Sequence, residues 1–356
     1  MNTSGTLKGG RIPYVDFLRI LASVAVIAIH AYFHYFGVSS ILHTYTFDIV
    51  NIAKSLTQFA VPMFFMISGA MLLSGPDESY SVFIKKRLNK VLIPFISWSV
   101  LYYVFYTVRT DAYNFNPLHF IRLFASQGIS GHLWFMYAII PLYFLIPVIR
   151  KALIYITKKD LQLLILWLFV LGSVLPFLNT WLKFFNVSPI SVITLYKFGA
   201  YLDYMLIGYY LYKYPISRIV RNTLYFAGIA SIAAMFIVTR LISVDKALES
   251  AYTITHPQLF FYTAALFILG KAIFENRTIS EKTSRVLMKL GNLSFGAYLV
   301  HMMVLRMLQQ FLPKKVVLLS NTSALLYITA IFIAGTLISY LISFIISKIK
   351  YIRRII

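Results

Sequence analysis

Apolar runs long enough to cross a lipid bilayer recur along nearly the whole of this sequence, and no other feature limits its fold as tightly. Crossing roughly 30 Å of hydrocarbon takes about 20 mostly apolar residues in a helix. Inside lipid, every backbone N–H and C=O must find its partner within the protein, which a helix achieves on its own. Ten such runs lie near residues 13–33, 52–73, 91–108, 133–149, 161–178, 195–212, 223–244, 257–273, 293–311 and 324–347. The expected fold is therefore all-α and polytopic, with about ten transmembrane helices. Composition agrees, since a chain that is 60% hydrophobic and 12% charged has too little polar residue to cover a water-soluble globule. The first run reads as a helix rather than a cleaved leader, because no small-residue cleavage site follows it. Residues 1–356 read as a single membrane-embedded domain with no soluble extracytoplasmic domain.

The formal net charge of +22 would suit a nucleic-acid partner, but the placement of the basic residues argues against one. They gather in alternate loops and in the tails, as Lys85/Lys86/Arg87/Lys90, Arg150/Lys151/Lys158/Lys159, Arg277/Lys282/Arg285/Lys289 and Lys348/Lys350/Arg353/Arg354. Such alternation is the positive-inside pattern, and it places both the N- and C-termini in the cytoplasm. Attraction to anionic lipid of the bilayer accounts for the rest of the excess. With no cysteine there is no disulfide, thiolate nucleophile or Cys-ligated metal. His30 and His34 have metal-like spacing but no further ligand at a suitable interval, so no metal is expected.

Ionisable residues inside a span are costly and mark candidate function. The first run carries Asp16, Arg19 and His30. At about 100° per residue Arg19 and His30 point almost the same way and Asp16 lies within roughly 60° of both, so one polar stripe runs up the helix. Arg19 and His30 stand roughly 16 Å apart along the axis, Arg19 at the cytoplasmic mouth. Two readings stay open from spacing alone. The stripe is a reaction channel, or Asp16 and Arg19 merely pair while His30 satisfies a neighbouring helix.

Several further segments resemble one family. Tyr14-Val15-Asp16-Phe17-Leu18-Arg19, ten residues and His30 resemble the Arg-x10-His motif of the membrane acyltransferase-3 family, bacterial enzymes that O-acylate carbohydrates. Val61-Pro62-Met63-Phe64-Phe65-Met66-Ile67-Ser68-Gly69 is similar to its Pro-x-Phe-Phe-x-x-Ser-Gly, and residues 83–94 to its basic cytoplasmic loop. Gly131-His132-Leu133-Trp134-Phe135 resembles its His-Leu-Trp-Phe, and Leu206-Ile207-Gly208-Tyr209-Tyr210-Leu211 its Gly-Tyr helix. Gly291-Asn292-Leu293-Ser294-Phe295-Gly296-Ala297-Tyr298-Leu299-Val300-His301 resembles the late-helix Ser-x-Gly-x-Tyr-Leu-x-His. Six segments in order are hard to obtain by chance. The likeness is to single-domain carbohydrate O-acetyltransferases such as the enterobacterial common antigen enzyme; the peptidoglycan branch carries an additional hydrolase-like domain. Lys90 stands where many members have arginine, which keeps charge but loses bidentate phosphate binding.

The resemblance implies acyl transfer from cytoplasmic acetyl-CoA, as donor substrate, to a carbohydrate hydroxyl at the bacterial cytoplasmic membrane. On that footing His30 is the expected general base, since histidine is the side chain whose ordinary pKa lies nearest neutrality. Arg19 would bind CoA phosphate or stabilise charge on the carbonyl oxygen, with Asp16 orienting it. Lys86, Arg87 and Lys90 are donor-binding candidates by location, although each is also an ordinary positive-inside residue. His132, Trp134, Ser68, Tyr298 and His301 are acceptor-side or supporting residues, with lining of the acceptor site, a second acid/base role and structural capping all open for His132. For His301 a structural hydrogen-bonding face with Tyr298 and Ser294 is the favoured reading. Transfer of a succinyl group and transport of a polysaccharide or small molecule are the alternatives.

Overall fold

A computed structural model describes residues 12–36, 44–76, 78–109, 115–190, 196–241, 255–275, 277, 279–311 and 321–356. The helices are α1 (Pro13–Phe36), α2 (Tyr45–Thr57), α3 (Ala60–Leu73), α4 (Tyr80–Arg109), α5 (Pro117–Ala125), α6 (Trp134–Tyr155), α7 (Lys158–Phe169), α8 (Leu175–Phe184), α9 (Tyr196–Lys213), α10 (Arg218–Leu241), α11 (Pro257–Glu275), α12 (Glu281–Phe311) and α13 (Asn321–Lys348). There is no strand among the described residues, so the chain is an all-α, multi-pass membrane protein.

Eight helical stretches of the described residues are long and apolar enough to cross a bilayer by themselves. The remaining two expected spans are α9 and α12, which are too polar to qualify but bury the stretches 203–206 and 296–301 inside the protein. α9 packs on α3, and α12 packs on α1 and α13. A helix wrapped by other helices does not need a lipid-compatible surface all round. That is why the two polar spans can carry motif residues.

Three expected boundaries change. The second span starts at Tyr45 rather than residue 52 and is broken between α2 and α3, where the hydroxyl of Tyr262 donates to the Leu56 carbonyl at 2.7 Å. A carbonyl released at a helix break in lipid needs such a donor. In the fifth span α7 and α8 are joined by a π-helical turn, Val170–Val174, in which Gly172 lies against the backbone of Ala200 on α9. Finally, Lys86, Arg87 and Lys90 are not in a loop. Residues 80–93 contain neither Gly nor Pro and several good helix formers, so α4 continues through them for 30 residues.

Two motif glycines set the closest crossing. A Cβ built on Gly69 would lie 1.8 Å from the Met205 carbonyl oxygen, and one on Gly208 would lie 2.1 Å from that of Met66. α3 and α9 thus touch backbone to backbone through reciprocal small residues, the close approach that van der Waals packing favours in membranes. At the end rich in basic residues, hereafter the basic face, Arg150 fixes the end of α3. Its Nε donates to the Leu72 carbonyl at 3.1 Å and Nη1 to Pro76 at 2.5 Å. An arginine expected only to set orientation is therefore a buried helix cap, 8% exposed. After α13 the chain folds back, and the indole of Trp98 donates to the Ile355 carbonyl at 2.8 Å.

Candidate functional site

Three histidines from distant parts of the sequence meet inside the bundle. The ring of His301 lies between the other two, with centroids 5.1 Å from His30 and 5.0 Å from His132. His132 and His301 are 2% and 0% exposed, whereas His30 keeps part of its surface open. Of the three, His30 is the least enclosed residue.

Each buried ring is held from its Nδ1 side. His301 Nδ1 bonds the Tyr298 carbonyl, and because a carbonyl only accepts, Nδ1 must carry the hydrogen. That tautomer leaves a lone pair on Nε2. His132 Nδ1 is 3.0 Å from the Ser130 hydroxyl, which is 3.3 Å from the hydroxyl of Tyr106. Tyr298 donates its hydroxyl to the His132 carbonyl, tying the 3₁₀ turn Gly131–Leu133 to α12. Nε2 of His301 is buried with no partner among the described residues, and Nε2 of His132 is buried with only the Leu299 backbone in reach. A buried imidazole nitrogen left open in this way is rare in a satisfied core and suits a ligand or substrate group.

Tyr102 explains why His301 can stand there. Its hydroxyl donates to the Leu299 carbonyl at 2.8 Å and accepts from the Met303 amide at 3.2 Å. A phenol is thus interposed in the i to i+4 ladder of α12 directly around His301. The ring of Tyr102 also meets that of His132 edge-on at 4.8 Å.

A second group lies toward the basic face. Arg19 Nη1 contacts Asp16 Oδ1 at 3.2 Å, and Asp16, 3% exposed, is pressed against Gly291 of α12. Asp16 and Arg19 do pair, as spacing allowed. Arg19 nevertheless remains part-open, its side chain 32% exposed. Tyr143 of α6 hydrogen-bonds Ser68 and lies within electrostatic reach of both Arg19 and Arg87. Four side chains from α1, α3, α4 and α6 therefore converge: Arg19, Ser68, Arg87 and Tyr143. Arg87 lies with its guanidinium 5.4 Å from the Phe83 ring centre, and its Nε is buried without a partner.

The other donor candidates turn elsewhere. Lys86 bonds Glu78 at 2.9 Å on the surface and is 58% exposed. That hydrogen bond, helped by the charges of Lys86, Arg87 and Arg150, holds the Glu78 carboxyl below the usual carboxylate range. Lys90 faces solvent. Ser68, expected among the acceptor-side or supporting residues, stands with the two arginines instead. Trp134, expected in the same group, packs on Tyr201 at 5.8 Å. Ser294 bonds the Gly291 carbonyl of its own helix at 2.7 Å. The side chain of His34 lies outside the described residues, and among those described no three His, Asp or Glu groups are placed to hold a metal ion.

Sequence reasoning did not single out Tyr102, Ser130, Tyr143 or Arg306. The first three are ordinary residues in an aromatic-rich chain, and only contacts between distant segments distinguish them. Asp203 was also passed over, although a carboxyl in the middle of a span is itself a signal. It is 1% exposed on α9, and neither oxygen has a partner among the described residues.

No match was found among curated proteins or among solved structures. The family pattern described as an acyltransferase domain, acyltransferase-3, matches residues 12–344, which takes in every side chain of both groups. By that match over nearly its whole length, the chain belongs to the acyltransferase-3 family and is a membrane acyltransferase.

Proposed function

We propose that this acyltransferase moves an acetyl group from acetyl-CoA on the cytoplasmic side to a hydroxyl of a surface or lipid-linked carbohydrate, in a bacterial cytoplasmic membrane. The observation that carries the reading is the division of the site along α1. Arginines at one level can take the phosphates of a donor, and the least enclosed histidine at another can serve a hydroxyl. The basic face is the cytoplasmic one.

Distance assigns the roles. Arg19 and His30 are roughly 16 Å apart by helical rise, more than a guanidinium arm spans. Arg19 therefore does not serve the carbonyl oxygen at His30. With Arg87 it holds phosphate at the entrance, where a charge-assisted, bidentate contact is strongest. The extended pantetheine arm bridges the remaining length and delivers the thioester to the histidines.

At that level His30 accepts the proton of the acceptor hydroxyl as its oxygen bonds to the acetyl carbon. The tetrahedral adduct collapses with loss of the CoA thiolate. The imidazolium of His30 returns its proton to that sulfur, giving an acetyl ester and free CoA. His301 backs the ring of His30, and His132, fixed by Ser130, supports the far side. Burial of both keeps water from the thioester.

The test is purified protein in lipid nanodiscs given radiolabelled acetyl-CoA and crude surface glycans, with the products read by mass spectrometry. The expected result is label in base-labile esters on sugar. Preferential use of succinyl-CoA would replace the acyl group in this account. Passage of glycan across the membrane without acylation would replace it with transport.

A further inference from the structure

At the end of the bundle away from the basic face, arginines stand where the positive-inside pattern disfavours them. Arg306 is on α12, five residues and roughly 7.5 Å beyond His301. Its guanidinium lies 5.0 Å from the ring centre of Tyr106, and its charge acts through space on His30, His132 and Tyr102. Arg109, one turn after Tyr106 on α4, lies over Phe105 at 5.2 Å and donates to Gln310, one turn after Arg306. Arg306 and Arg109 are both exposed, and neither has an acidic partner among the described residues.

These two cations are therefore held at the end away from the basic face by aromatic rings and an amide, with their charge left over. Tyr106 extends the arrangement inward, since its hydroxyl contacts Ser130 and Ser130 contacts His132. An exposed guanidinium supported on a ring and lacking an acidic partner is a receptor for carboxylate or phosphate. It also stands near the place where His30 takes up positive charge, and like charges repel. An anion seated on Arg306 offsets that repulsion as the proton is transferred.

Building on the acetyl-transfer reading, we propose that Arg306, with Arg109 beside it, binds an anionic group of the acceptor, so that the acceptor is an acidic carbohydrate. The carboxylate of a uronic acid and a sugar phosphate supply the same chemistry. Arg306 is then a specificity-determining residue: it chooses which saccharide presents its hydroxyl to His30.

The experiment uses the full chain in nanodiscs and three probes: methyl glucuronide, glucose 1-phosphate and methyl glucoside. Affinity is measured by equilibrium binding, and acetyl transfer by kinetics with acetyl-CoA. An acidic probe is expected to bind about tenfold more tightly than the glucoside, with preference falling as salt is raised. Arg306→Gln should remove that preference, lowering the affinity for the acidic probes to about that for the glucoside. Arg306→Lys, which keeps charge on a folded protein, should retain part of it. Preference for the glucuronide alone or the phosphate alone identifies the source of the anion and supports the proposal. Equal binding of all three probes, or preference unchanged in Arg306→Gln, overturns it. Binding is read without turnover, so absence of acetyl transfer from any probe bears on the proposed reaction, while loss or retention of acidic preference still decides Arg306.

Discussion

The two polar groups along α1 are built in opposite ways. Around His301 almost every atom is enclosed: His132, Tyr298, Tyr102 and His301 are at most 3% exposed, and three hydroxyls fix backbone or imidazole positions. Around Arg19 the side chains are long and partly open, with Arg19 against Asp16 and Arg87 over the Phe83 ring. Packed and hydrogen-bonded groups keep reacting atoms aligned, and such alignment acts on turnover. Looser cations at a mouth attract and retain an anionic donor, which acts on affinity. The comparison therefore makes one region a kcat region and the other a KM region.

The largest effect is expected at the middle ring. His301→Ala should lower kcat by about a hundredfold while leaving the affinity for acetyl-CoA within a factor of a few, because it removes the wall behind His30 and not a phosphate contact. A positioning role also predicts that His301→Asn, which keeps a side-chain donor for the Tyr298 carbonyl, recovers part of the rate. A large loss of donor affinity in His301→Ala would erase the division between the two regions.

Next comes Arg19→Ala, with donor binding weakened about 10- to 100-fold, the range of one charge-assisted hydrogen bond. Isothermal titration with CoA, which carries the phosphates but no acyl group, should show the same loss. Arg87→Ala is expected to resemble it, since both arginines lie within electrostatic reach of Tyr143. A smaller, few-fold rise in donor KM is expected for Tyr143→Phe, which loses one hydrogen bond to Ser68. The least effect should come from Lys86→Ala, within about twofold in kcat/KM, because this lysine is spent on a surface pair with Glu78. In that variant the Glu78 carboxyl should titrate closer to its ordinary range, visible by NMR as a midpoint shifted to higher pH.

Much of this was legible in the sequence, for reasons that are local. Apolar length gives the spans, and Arg19 and His30 sit on one helix, where a fixed rise and twist relate them. Motif order then gave the family. What escaped depended on contacts across the chain. Nothing near His301 in the sequence says that Tyr102, some 200 positions earlier, enters its helical ladder. Periodicity is likewise silent on which of Lys86, Arg87 and Lys90 turns inward, since all three continue one helix whose start was placed too late. The roles of Gly69 and Gly208 also emerge only from their pairing, because each glycine is needed for the backbone of the other helix to pass.

The central claim is that His30 is the base, and it is tested most directly by His30→Gln. Glutamine keeps a donor and an acceptor at that position but cannot take a proton near neutral pH. Acetyl transfer by a well-inserted His30→Gln variant should be measured beside its affinity for acetyl-CoA. The account predicts that transfer falls by about 10²- to 10⁴-fold with donor affinity nearly unchanged. Near-normal transfer by that variant would contradict it and move the proton to another group, with His132 the next candidate.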